Sequence, residues 1–247
     1  MQRSGQSTRR AALGLGIATG VGMLVGCARS SDSSAAENDS ATTPTPSATP
    51  VTTPDQALAR LKEGAARFAS GGVLRPDQSI AYRTTLAKGQ HPFAVVLSCV
   101  DSRVPPEIVF DQGLGDLFVS RTAGQVVDHA VLGSLQYGVA ELKIPLLVVL
   151  GHEKCGAVKA TVEATEKKSA PAGNDIDTIV AAIKPAVERA ETDKASDLVD
   201  ASVRNNVANV VASLGTKAVL GPAVAAGSLR IVGARYDLDA GTVEFLA

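Results

Sequence analysis

Two short apolar runs in this chain end abruptly in polar chemistry. Phe93-Ala94-Val95-Val96-Leu97-Ser98 leads into Cys99, with Asp101 and Arg103 just beyond; Pro145-Leu146-Leu147-Val148-Val149-Leu150 leads into Gly151-His152-Glu153-Lys154-Cys155-Gly156. Such runs bounded by turn residues read as buried strands that deliver a site at their ends. The segments around them keep helical spacing. Pro54-Asp55 starts a leading helix with Ala57, Leu58, Leu61, Ala65 and Phe68 on one stripe, and a second helix is predicted from about Ser79 to Ala87. Gly89-Gln90-His91-Pro92 turns the chain into the first strand, about Phe93 to Cys99.

A short helix follows around Pro106 to Phe110, then a strand from about Asp116 to Arg121, after which Thr122 to Gln125 loops out. Asp128 caps a helix that runs to about Glu141 and presents Ala130, Leu132, Leu135, Tyr137 and Val139 as its buried side. The second ligand-bearing strand comes at Pro145 to Leu150, Gly151 is read as a sharp turn, and Cys155 opens a helix carrying Val158 and Val162. A surface loop covers about Glu166 to Asp177. Helices are predicted at Thr178 to Glu191, Asp197 to Ser213 and Gly221 to Ala226, then a strand from Ser228 to Asp237 with Thr242 to Leu246 as its hairpin partner.

Strands alternating with helices predict an α/β fold: one domain with a mainly parallel central sheet flanked by helices and an N-terminal helical arm. Right-handed crossovers put successive strand ends at the same edge, which would bring Cys99 and His152 together.

The N-terminal fifth is a different kind of sequence. Residues 1–27 hold paired Arg9 and Arg10 before a Gly- and Ala-rich apolar stretch, which resembles a twin-arginine export signal. That stretch ends in Leu24-Val25-Gly26-Cys27, resembling a lipoprotein box in which Cys27 becomes an acylated N-terminus. An uncleaved anchor helix with an incidental cysteine is the other reading, and either puts the protein at a membrane. Residues 28–54 are Ser, Ala, Thr, Pro, Asp and Asn with almost no large apolar side chain; they cannot bury enough surface to fold and read as an extended, disordered tether. Residues 55–247 form the domain. The organisation implied is a lipoprotein on the outer face of the cytoplasmic membrane.

Composition adds little. The 247 residues and 45% hydrophobic content suit a sizeable core. The formal net charge of -1 offers no electrostatic reason to expect nucleic acid as partner.

With Cys27 in the leader, Cys99 and Cys155 are the two thiols of the domain. An exported pair invites a disulfide, but each ends its own apolar run among other ligand-type residues, which favours metal. Two thiolates and one imidazole suit zinc by softness and number. The other histidines, His91 and His129, lie outside both stretches. The fourth position then falls to Asp101, to water, or to exchange between them, and an open position marks catalysis. Asp101 and Arg103, two apart, would share a face of a locally extended backbone and pair; an ionised Asp held by Arg is an acceptor only.

Cys99-Val100-Asp101-Ser102-Arg103 together with Gly151-His152-Glu153-Lys154-Cys155-Gly156 resembles the β-class carbonic anhydrases, whose pattern is Cys-x-Asp-x-Arg followed by His-x-x-Cys. The resemblance implies that Cys99, His152 and Cys155 bind one Zn2+ per subunit, with Asp101 as a possible exchangeable fourth ligand, and that Asp101 with Arg103 is the catalytic gating dyad. It implies a CO2 pocket walled by Gln90, Phe118, Tyr137 and Gly156 at a homodimer interface or a multiple of it. The activity implied is reversible hydration of CO2 to bicarbonate and a proton by attack of zinc-bound hydroxide.

Two departures stand out: Arg121-Thr122-Ala123-Gly124-Gln125 replaces the family's Arg-Asn-x-Ala/Gly-Asn, and Val96 replaces the Trp of members with an inhibitory bicarbonate pocket. Val96 points to a zinc open to water. Two other functions fit the motifs: hydrolysis of CS2 or carbonyl sulfide on the same scaffold, and a non-catalytic, membrane-tethered zinc-binding protein.

Overall fold

The computed structural model describes residues 50–168 and 170–246. The residues read as signal, lipobox and most of the tether, Cys27 included, lie outside the described residues. Thr53 caps the first helix, α1 (Pro54–Ser70), through a capping box: its side chain accepts from Gln56 N, and the Gln56 side chain accepts from Thr53 N. Pro54 occupies the first turn, where its missing N–H is not needed, and Gly71 at φ 78° closes the helix. α2 (Ile80–Leu86) follows, capped by Ser79.

β1 (Ala94–Cys99), α3 (Pro106–Val109), β2 (Leu117–Thr122), a 3-10 turn at Ala123–Gln125, α4 (His129–Ala140) and β3 (Leu146–His152) complete the first half of the domain. The second half is α5 (Gly156–Glu166), α6 (Ile176–Thr192), α7 (Leu198–Gly215), α8 (Leu220–Ala225), β4 (Arg230–Tyr236) and β5 (Val243–Leu246). The sheet order is β2-β1-β3-β4-β5, parallel except for β5, which pairs antiparallel with β4. The α/β architecture is the one the alternation predicts, with boundaries within about two residues.

The apolar runs of β1 and β3 are continuous because both faces of these central strands are covered. Ala94, Val96, Leu146, Val148 and Leu150 pack on one face with Ala57 and Leu61 of α1 and Phe110. Val95, Leu97, Leu147 and Val149 pack on the other with Leu135, Val207, Leu214 and Leu220. The helical arm thus lies on its own domain, and Arg60–Asp116 (2.7 Å) and Arg67–Asp111 (2.6 Å) tie it down.

Two expectations change. Gly151 is not a turn but an interior residue of β3; a Cβ there would come within 2.6 Å of Val207 Cγ2, so the glycine lets α7 approach the sheet. The sharp turn is made by Lys154, in the left-handed region at φ 54°. On α4, the buried residues are Leu135, Gly138 and Val139, while Ala130 and Tyr137 face solvent. Tyr137 comes two residues after Leu135, about 200° round the helix, so helical spacing itself puts it on the face away from the 135/138/139 stripe. Among the described residues, no helix is long and apolar enough to cross a membrane.

Candidate metal centre

β1 and β3 are parallel neighbours, with Ser98 opposite Leu150, so their carboxyl ends deliver Cys99 and His152 to one edge of the sheet. The turn at Lys154 returns the chain to that edge, where Cys155 is the N-cap of α5. One ligand atom from each of Cys99, His152 and Cys155 lies within 4.8 Å of the others. All three residues are buried, and neither cysteine is in a disulfide. Around them pack Val158, Val162, Ile183, Val187 and Val203 from α5, α6 and α7.

His152 Nδ1 lies 2.8 Å from Glu153 O. A carbonyl only accepts, so Nδ1 carries the proton and Nε2 keeps its lone pair free. That Nε2 is buried without a hydrogen-bond partner. Its charged neighbour is Asp101 Oδ2, 3.9 Å away. A buried imidazole nitrogen in this condition, beside two buried sulfurs, fits a soft divalent cation, and the donor set fits zinc.

The cluster is biased towards thiolate. The Cys155 thiol donates towards Cys99, and despite burial this bond, His152 and the N–H groups of Gly124 and Asp101 bring the Cys99 thiol well below its ordinary range. Cys155 moves the other way, because it keeps the proton it shares with Cys99 and because it is buried. Burial opposes charge on His152, but its contact with Cys99 and that residue's charge outweigh it and raise the imidazole.

Asp101 and Arg103 do pair, though through a turn rather than an extended backbone. Arg103 Nε donates to Oδ1 (2.9 Å) and Nη2 to Oδ2 (2.7 Å), while Arg103 N also donates to Oδ1 (3.0 Å), closing an Asx turn. The Arg103 side chain is 54% exposed and that of Asp101 17%. The Arg103 guanidinium beside Asp101 holds its carboxyl well below the usual carboxylate range.

Arg121 of β2 holds this turn from behind. Its Nε donates to Cys99 O (2.8 Å) and its Nη2 to Asp101 O (2.6 Å). The sequence ends a strand at Arg121 and includes it in the family's loop motif but assigns it no role at the site. The available signal was a guanidinium at the end of a strand flanking the ligand strand.

The predicted pocket residues do not all gather. Gly156 is next to the cluster as the first residue of α5, and a Cβ there would meet nothing within 4 Å. Phe118 and Tyr137 lie together, ring centroids 6.3 Å apart, but Phe118 pairs with Val95. That register is four residues before Cys99, or about 13 Å along the strand. Gln90 is exposed in the segment entering β1 at the same far end. His91 and His129 are exposed and outside the cluster.

A parallel α/β sheet that presents two thiols, an imidazole and an arginine-held carboxylate at one edge defines a metal-dependent enzyme. The carbonic anhydrase family model matches residues 94–243. Carbonic anhydrase 2 of Mycobacterium tuberculosis is 45% identical over 192 residues, covering 78% of this chain and 92% of that protein. The chain belongs to the carbonic anhydrases, in their zinc-dependent β class.

The carbonic anhydrase of Mycolicibacterium smegmatis is 46% identical over 196 residues, 79% of this chain and 94% of that one. Among solved structures, the Coccomyxa β-carbonic anhydrase in complex with acetazolamide superposes with a TM-score of 0.60 at 27% identity, covering 76% of this chain and 86% of that chain. One of the two tetrameric β-carbonic anhydrases of Sordaria macrospora gives 0.60 at 25% identity, covering 74% and 94%.

Proposed function

We propose that the chain converts CO2 and water reversibly to bicarbonate and a proton, with Cys99, His152 and Cys155 holding one zinc ion and Asp101–Arg103 acting beside it. The observation that carries this reading is the convergence of the three ligand atoms within 4.8 Å, with Asp101 Oδ2 3.9 Å from His152 Nε2. Zinc bound there supplies a Lewis acid that makes hydroxide available near neutral pH.

The chain's own groups do the selecting. Arg103 keeps Asp101 ionised, so Asp101 offers only acceptor oxygens towards the open side of the cluster. It therefore admits an oxygen nucleophile that brings its own hydrogen and, by accepting that hydrogen, turns the free lone pair towards carbon. Arg103 in turn holds the carboxylate in one orientation beside the ligand cluster, and Arg121 fixes the backbone from which it projects. CO2 is neutral, so a chain of net charge -1 needs no charged funnel to receive it.

Stopped-flow CO2 hydration by the zinc-loaded protein between about pH 6 and about pH 9 tests the proposal. Two thiolates give the metal more electron density than three imidazoles, so the rate is expected to climb through a pKa above ~7. Asp101 adds no inflection in this window because Arg103 holds it far below it. A plateau already reached well below pH 7 contradicts the ligand argument. Zinc bound without hydration at any pH supports the non-catalytic reading, and turnover of CS2 or carbonyl sulfide in preference to CO2 supports the hydrolase.

We infer a homodimer, or a multiple of it, as the working unit. Phe118 and Tyr137 cannot wall this chain's own cluster from the far end of β1, but a second copy could bring its pair there. Exposed Leu74, Ile80, Ile108 and Leu114 offer apolar surface for that contact. Light scattering on the purified domain should give at least twice the chain mass; a monomer with full activity would refute the shared pocket. Export and acylation at Cys27, supported by the Arg9-Arg10 and Leu-Val-Gly-Cys patterns, would place the enzyme on the outer face of the membrane. Palmitate labelling lost on Cys27→Ala is the expected result, and labelling that survives it counts against the lipobox.

A further inference from the structure

Gly124 touches the metal cluster from outside the predicted ligand set. Its N–H donates to Cys99 Sγ at 3.4 Å, in a buried position. It adopts the left-handed conformation (φ 62°, ψ 25°), and a Cβ there would meet Ile183 Cδ1 at 2.6 Å. Its carbonyl accepts from Asn206 Nδ2 at 2.9 Å. Asn206 lies on α7, is 3% exposed, and is 82 residues from Gly124 in sequence.

The two peptide planes flanking Gly124 are linked only by its φ and ψ. The plane on the N-terminal side, which carries the Gly124 N–H, follows one residue after the end of β2, where Val100 N bonds Thr122 O and Thr122 pairs with Cys99. Asn206 fixes the plane on the other side. Thr122 Oγ1 donates to Val126 O at 2.7 Å, closing the loop around the glycine. Gln125, the residue where the family's loop carries Asn, adds nothing through its side-chain oxygen, which is buried without a partner.

Resting on the zinc reading of this cluster, we propose that Asn206 is a positioning residue: through Gly124 it aims a backbone N–H at the Cys99 sulfur and so sets how firmly that thiolate holds the metal. A donor to a metal-bound thiolate withdraws charge from sulfur and fixes the direction of its lone pairs, and loss of such an outer contact commonly lowers metal affinity about 10- to 100-fold.

The test compares Asn206→Leu, which nearly keeps the shape but has no donor, and Asn206→Ser with Asn205→Ala. Asn205 is a matched control on the same helix, because its Nδ2 donates to Ala186 O at 3.2 Å and ties α7 to α6 away from Gly124. Zinc release to a competing chelator and the sulfur-to-metal charge-transfer absorption of the Co2+-loaded protein are read on each, alongside thermal unfolding. Expected is zinc release about 10- to 100-fold easier and a displaced absorption band in whichever Asn206 variants fold, with both unchanged in Asn205→Ala even where its unfolding temperature drops equally.

The proposal is overturned if folded Asn206 variants keep the parent's zinc retention and band. It is equally overturned if Asn205→Ala shifts them as much, because the effect would then be general loosening of α7. Should neither Asn206 variant fold, the parent loaded with 113Cd decides. A scalar coupling between cadmium and the Gly124 amide proton supports the proposal, and its absence with resolved couplings at the cysteine protons overturns it. Failure of the zinc reading itself would appear separately, as a parent protein that retains no metal.

Discussion

Cys99→Ser is expected to abolish zinc retention and to reduce CO2 hydration at least about 1,000-fold, close to the uncatalysed background. The serine hydroxyl is a poor ligand for a soft cation and does not ionise near neutral pH, so two donors remain where three were needed. Cys99 is 4% exposed and sits in the cluster formed with Cys155, Val158 and Ile183, so the effect reaches stability as well. A ligand present at about 1,000 times its Kd stabilises the folded state by about 4 kcal/mol, and loss of zinc forfeits that. Metal analysis of the purified variant together with a melting curve checks both parts. One zinc per chain and parent-like hydration in Cys99→Ser would sink the assignment.

Asp101→Ala separates metal holding from selection. Asp101 bonds Arg103 through both oxygens and is outside the group of three converging ligand atoms, so the variant should keep its zinc. Hydration is expected to fall about 100- to 10,000-fold, the usual contribution of a positioned proton acceptor. The fold should change little, since a partly exposed ion pair typically contributes about 0 to 1 kcal/mol. A variant that loses its metal instead would make Asp101 a permanent ligand. One that keeps both metal and rate would reduce the dyad to an ordinary surface ion pair.

The strands and helices were legible because each carries its own local signal. Phe93 to Leu97 and Pro145 to Leu150 are continuous apolar runs, the pattern of strands covered on both faces. Asp128, read as a cap, accepts from the N–H three residues on, a short-range contact that Thr53 and Ser79 also make at α1 and α2. Gly151 was misread for the opposite reason. It is glycine because Val207, far along the chain, packs on it; Tyr137 was instead assigned against its own local pattern, which puts it about 200° round α4 from Leu135.

By itself, the sequence determined the chemistry: which residues are ligand types, that they end buried strands, and that a carboxylate and a guanidinium stand two residues apart beside the first. Only the tertiary structure decided the arrangement. Parallel pairing of β1 with β3 makes one cluster of two segments, and the left-handed turn at Lys154 returns Cys155 to it. The same packing leaves Phe118 and Tyr137 at the far end of the sheet, and brings Arg121 and Asn206 behind the cluster. Donor identity is a property of single residues, whereas distances between donors depend on strand order and on how closely helices pack, which no local pattern records.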